Sequence, residues 1–203
     1  MSKSSIKEDL SQVATFIKHN KTLQTIVLQK LSLSDEKAEV LIEPIASSNH
    51  LKVLRLDFNK LSHRFIENLC YRLMANPIQV QRTLSALGQV EQTLNTSSSG
   101  ISLIPEEAKT DRHRSHDKEG LDIISFEGNQ QIGDLGTKAL ATLVRTPNNS
   151  TKNLSKINLK ECGITNEGYL EMKEALTQRG SLSHVANLSH VAVNVDRNNI
   201  SLN

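Results

Sequence analysis

A fixed repeat constrains this chain more than any other feature of it. Leu23, Ile26, Leu28, Leu31 and Leu33 return 28 residues later as Leu51, Leu54, Leu56, Asn59 and Leu61, in the form LxxLxLxxNxL. Leu121, Ile124, Phe126, Asn129 and Ile132 repeat the spacing with one extra residue near the end. Leu154, Ile157, Leu159, Cys162 and Ile164 repeat it again, and Val193, Val195, Asn198 and Ile200 form a weaker fifth copy. A period of this size marks a stack of like units, because one unit cannot bury its apolar face without its neighbours.

The second half of each unit tests the first. Eight positions after the last apolar residue stand Leu41, Leu69, Leu140 and Met172, and twelve positions after it stand Ile45, Leu73, Val144 and Leu176. Residues four apart share one helical face, so each unit reads as strand, turn, helix. Ser34-Asp35, Ser62 and Thr165-Asn166 offer side-chain oxygens to the free amides of the first helical turn. Val13 and Ile17 precede Leu23 as Leu41 and Ile45 precede Leu51, and Ser5-Ile6-Lys7-Glu8 has the form of a capping box. Residues 1–21 are therefore expected to form a capping helix. In the LxLxxN segment alternate strand residues point into a common core, while the Asn can bond backbone groups where the chain turns away. Cys162 takes that Asn position, and is read as structural rather than as a reactive thiol.

Composition agrees with a Leu-packed core: the 203 residues include 27 Leu against four Phe, two Tyr and no Trp. A hydrophobic content of 37% and a charged content of 23% fit a folded chain, and the interspersed net charge of +2 gives neither a nucleic-acid footprint nor a polybasic membrane patch. Cys70 and Cys162 are too far apart in sequence for a CxxC or a paired metal spacing, which points to a reducing compartment. The polar start and the absence of any apolar run near the roughly 18 residues of a membrane span lead to the expectation of a cytosolic protein.

On these residues the sequence resembles leucine-rich-repeat proteins of the ribonuclease-inhibitor type, over residues 5–76, 121–178 and 190–202. The resemblance implies an α/β horseshoe segment with parallel strands on the concave face and helices on the convex face. It divides a single domain, 1–203, into the cap, two repeats over 22–77, a degenerate repeat or insertion with a flexible loop over 78–120, and three repeats over 121–203, the last incomplete. From Asn59 to Asn129 the register advances by 70, which is two units of 35 or one of 28 with 42 inserted. About eight residues around 181–188 are also extra. With no helix after Ile200, the last strand would leave an open edge where a partner strand or a second copy could pair.

Catalytic patterns are missing: there is no GxSxG elbow, no Gly-rich phosphate loop and no local Cys-His signature. Asp111, His113, His116 and Asp117 are the one ligand-type cluster, but Arg112, Arg114 and Lys118 between them repel a cation; a metal-dependent hydrolase there is a remote alternative. His184 and His190 read as surface or packing residues. The expectation is a non-enzymatic module without cofactor or metal, binding another protein and neither nucleic acid nor membrane.

Function is then expected on the strand positions between the inward residues. These are Val27, Gln29 and Lys30; Arg55, Asp57 and Phe58; Ser125, Glu127 and Gly128; Asn158, Lys160 and Glu161; and Asn194, Asp196 and Arg197. Phe58 flanked by Arg55 is the anchor expected from hot-spot composition. The irregular spacers and the lack of an attached enzymatic domain also look like the leucine-rich-repeat effectors that intracellular bacterial pathogens inject, which would place the chain in host cytoplasm against a host protein. The alternative is a eukaryotic cytosolic inhibitor or regulator, or a fragment of a nucleotide-binding leucine-rich-repeat receptor.

Overall fold

The computed structural model describes residues 3–75, 120–148, 150–186 and 190–201. Each repeat forms a three-residue strand centred on the motif position of Ile26, Leu54, Ile124, Ile157 or Val193: β1 (Thr25–Val27), β2 (Val53–Arg55), β3 (Ile123–Ser125), β4 (Lys156–Asn158) and β5 (Ala192–Asn194). They form one parallel sheet in sequence order, and the repeat register is the pairing register, since Ile26, Leu54, Ile124, Ile157 and Val193 stand opposite one another in turn. The middle residues of β2, β3 and β4 are fully buried, as period-two alternation requires of a sheet with one face on a core. β2 pairs directly with β3, so the 70-residue step is one coil carrying inserted residues and not two coils. The inserted segment, expected at 78–120, lies outside the described residues save its last.

Between the strands run α1 (Lys3–His19), α2 (Asp35–Ala38), a 3-10 turn (Glu39–Leu41), α3 (Ile42–Ser47), α4 (His63–Met74), α5 (Gly133–Arg145) and α6 (Asn166–Ala186). Leu41, Leu69, Leu140 and Met172 are all buried, as their spacing predicts. Among the described residues, only the first coil breaks its helix. Pro44 has no N–H to return to Val40, and the turn ahead of it tightens into 3-10 geometry. α1 starts at Lys3, ahead of Ser5, so Ser5 is inside the helix rather than its cap. The extra residues near 181–188 lengthen α6, which runs to Ala186.

The Asn positions explain how coils are joined. Asn59 Nδ2 donates to the carbonyls of Leu28 (2.7 Å) in the preceding coil and Leu56 (2.9 Å) in its own, while its Oδ1 accepts from the amides of Leu31 (3.0 Å) and Leu33 (3.2 Å). Asn129 and Asn198 do the same for Leu56 and Leu61, and for Leu159, Cys162 and Ile164. Each Asn thus serves the coil before it. Leu31, expected to point inward, is 45% exposed instead: it holds the Asn position in the coil of β1, and no described strand precedes β1.

Cys162 substitutes only half of this function. Its Sγ donates to the Phe126 carbonyl (3.2 Å), but a thiol is a poor acceptor. The extra residue in the coil of β3 removes the need, because Asn129 and Ile132 turn their amides onto Phe126 and Asn129 within their own coil. Burial pushes both thiols, Cys70 and Cys162, up to about 12, which leaves neither as a ready nucleophile.

Candidate functional site

In all five coils the residue just before the Asn position has positive φ: Lys30 (57°), Phe58 (54°), Gly128 (76°), Glu161 (57°) and Arg197 (54°). Amides of the first four donate to the next coil, onto the carbonyls of Asp57, Glu127, Lys160 and Asp196. The left-handed conformation turns these side chains outward in a column beside the strands. Lys30 Nζ lies 5.5 Å from the Phe58 ring centre, a cation–π distance. The Phe58 ring lies over Gly128, where a Cβ would come within 2.5 Å of it. Arg197 and Glu161 pair at 3.0 Å.

The adjoining column forms one hydrogen-bonded chain. Gln29 Nε2 donates to Asp57 (2.6 Å), whose other oxygen accepts from Ser125 Oγ (2.5 Å) and the Glu127 amide (3.0 Å). Asn158 Nδ2 donates to Ser125 Oγ (3.0 Å) and Glu127 (3.1 Å), and Lys160 Nζ reaches the second Glu127 oxygen at 2.9 Å. Two expectations are corrected here. Asp57 and Ser125, expected among the exposed contact positions, are only 4% and 1% exposed, because each satisfies its neighbours across the sheet.

What the face leaves exposed is Val27, Arg55, Phe58 and Lys30 toward β1, and Asp196 and Arg197 toward β5, with Asn194 half-buried. Phe58 is 41% exposed and half covered by its own neighbours rather than a free anchor. The spacing argument passed over one row, the first residue of each strand: Thr25, Val53, Ile123, Lys156 and Ala192 also face outward, and alternation about the buried middle residue is the signal that finds them. At the other end of the sheet, Met172 and Leu176 of α6 border a groove with Val193 and Val195.

Carboxylates also join the coils at the helix starts. Asp134 accepts from the Thr165 amide (2.8 Å), the Thr165 hydroxyl (2.6 Å) and the Gly168 amide (3.1 Å), capping α6 from the preceding coil; Asp35 does likewise for Ser62. Burial works to raise the Asp134 pKa, but the bonds from Thr165 and Gly168 outweigh it and hold the carboxyl below its ordinary value. Hydrogen bonds from Lys160 and then Asn158 do the same for Glu127. A carboxyl depressed in the folded state contributes stability that is complete above its unfolded pKa of about 4 and is lost as pH falls through the folded value. Asp134→Asn should therefore lower stability by about 1 kcal/mol at neutral pH, with the gap from the parent narrowing in urea melts as pH falls below the unfolded pKa and through the lower folded one.

Among the described residues, no group of three His, Cys, Asp or Glu side chains is placed to hold a metal, and no helix is long and apolar enough to cross a membrane. The 111–117 loop and the His184 side chain lie outside the described residues; His190 is exposed.

No family model matches the chain. Over 181 residues, 89% of its length, it is 24% identical to the NACHT, LRR and PYD domains-containing protein 5 of Bos taurus. It spans 15% of that relative's length. Leucine-rich-repeat-type content is what the likeness and the in-register parallel sheet support in common.

Proposed function

We propose that this chain is a non-enzymatic protein-interaction module: a leucine-rich-repeat horseshoe of ribonuclease-inhibitor type that holds a partner protein on a concave strand face. The observation that carries the reading is the five-strand parallel sheet with outward side chains aligned coil by coil, since a solenoid of this kind offers a broad, preformed recognition surface. The likeness to a mammalian protein whose name includes LRR and NACHT domains favours the reading of a receptor-like fragment or cytosolic regulator over that of a bacterial effector acting on a host protein.

Affinity capture tests it. The intact chain is compared with a version carrying Val27→Ser, Arg55→Glu and Phe58→Ala, all on exposed side chains, after circular dichroism has shown that both are folded. A partner held by the intact chain and lost from the altered one is the expected result. The same partner on both would overturn the strand-face assignment, and would move attention to the groove beside β5 or to the segment between β2 and β3.

A further inference from the structure

Charge on the strand face is unevenly spent. From β1 to β4 its carboxylates are engaged, Asp57 buried under three donors, Glu127 held by Lys160 and Asn158, and Glu161 paired with Arg197, while the exposed Asp196 stands at the far end, beyond β5. Lys30, Arg55 and, in β4, Lys156 have no carboxylate within ion-pair distance among the described residues. Lys156 is toward the end of the face that exposes Asp196, whereas Lys30 and Arg55 lie together in the first two coils. The same coils hold the apolar surface of this face and its turns, with Val27 51%, Leu31 45% and Phe58 41% exposed. Val27 and Arg55 are direct partners in the β1–β2 register, and Lys30 is stacked on Phe58, so cation and apolar surface alternate across neighbouring strands.

We infer that the β1–β2 end of the strand face takes an acidic peptide segment carrying aliphatic or aromatic side chains, presented by a partner protein. The inference rests on the protein-interaction reading above and adds the place and chemistry of the contact. Burial of Val27 and Leu31 needs apolar groups on the ligand, and Lys30 and Arg55 beside them need carboxylates; interleaving the two kinds of site is the complement of a chain that alternates Glu or Asp with Leu or Phe. A nucleic acid matches it poorly, because Val27 and Leu31 give a phosphate backbone no donor, and the Phe58 ring, with Lys30 over it and Gly128 against it, does not offer a base a free face to stack on.

The test uses the full chain and three fluorescent, photo-cross-linkable peptides of about eight residues, long enough to cross the sheet: alternating Glu-Leu, Glu-Ser and Lys-Leu. Anisotropy should show the Glu-Leu peptide bound at least about tenfold more tightly than the other two, more weakly at high salt, with cross-links in the coils of β1 and β2. In a Lys30→Glu, Arg55→Glu chain the preference should invert to Lys-Leu. Equal or tighter binding of Lys-Leu to the unaltered chain, or displacement of Glu-Leu by an oligothymidylate of like length, overturns the inference. Lys-Leu cross-linked to the strand face would overturn the acidic preference alone, whereas no peptide cross-linked to that face would overturn the interaction reading with it.

Discussion

Asn59→Ala should unfold the chain at markedly lower urea, with a loss of about 4 kcal/mol, large against the roughly 5–15 kcal/mol that holds a domain together. The side chain is 7% exposed and makes bonds to backbone groups of Leu28, Leu31, Leu33, Leu56 and Asp57. Alanine leaves those buried amides and carbonyls without a partner, at about 1–3 kcal/mol for each that water cannot reach. The contrasting substitution is Leu31→Asn, at the same repeat position one coil earlier. Since the Asn serves the preceding coil and no described strand precedes β1, that change should alter stability by less than about 0.5 kcal/mol. Equal effects of the two would contradict the direction of the bonding.

Gly163→Ala should cost nearly as much, about 3 kcal/mol, from two sources that a double mutant separates. Gly163 sits at φ +72°, and a Cβ there would come within 2.3 Å of the Gln130 carbonyl oxygen, a backbone atom that cannot swing aside. Gln130 belongs to the extra residue in the coil of β3. Deleting Gln130 in the Gly163→Ala background should remove the collision and leave the left-handed strain of about 1 kcal/mol, a coupling that chemical denaturation of the four variants would read directly. Additive effects would mean that the bulge and the glycine are unrelated.

The fold was legible because its signal is redundant. The strand spacing, the helix spacing and the Asn column are three readings of one coil, and Ile26, Leu54, Ile124 and Ile157 fell in pairing register without adjustment. Sequence could not decide whether Asn59 and Asn129 were one coil apart or two, since both counts satisfy a 70-residue step; only the pairing of β2 with β3 separates them. Nor could it rank the outward positions. Asp57 and Ser125 look like any solvent-facing polar residues, and their burial depends on neighbours 68 residues apart. The row of Val53 and Ile123 was hidden for the opposite reason: an apolar residue next to the motif's leucines reads as core until the strand phase is fixed. The sequence likewise showed no sign that the position before each Asn is left-handed, because only Gly128 advertises it.

The two kinds of side-chain tie between coils point in opposite directions along the chain. Asn59 and Asn129 reach back, whereas Asp35 and Asp134 reach forward to the helix starts that follow. A single coil therefore cannot be excised, duplicated or shuffled as an interchangeable block, for any cut leaves one neighbour without its amide partner and the other without its helix cap. The junction of Gln130 with Gly163 is stricter still, a fitted pair that no other coil could replace. Lengthening this array by design would have to begin at the join between the coils of β1 and β2, where Asn59 and Asp35 supply both ties in regular spacing.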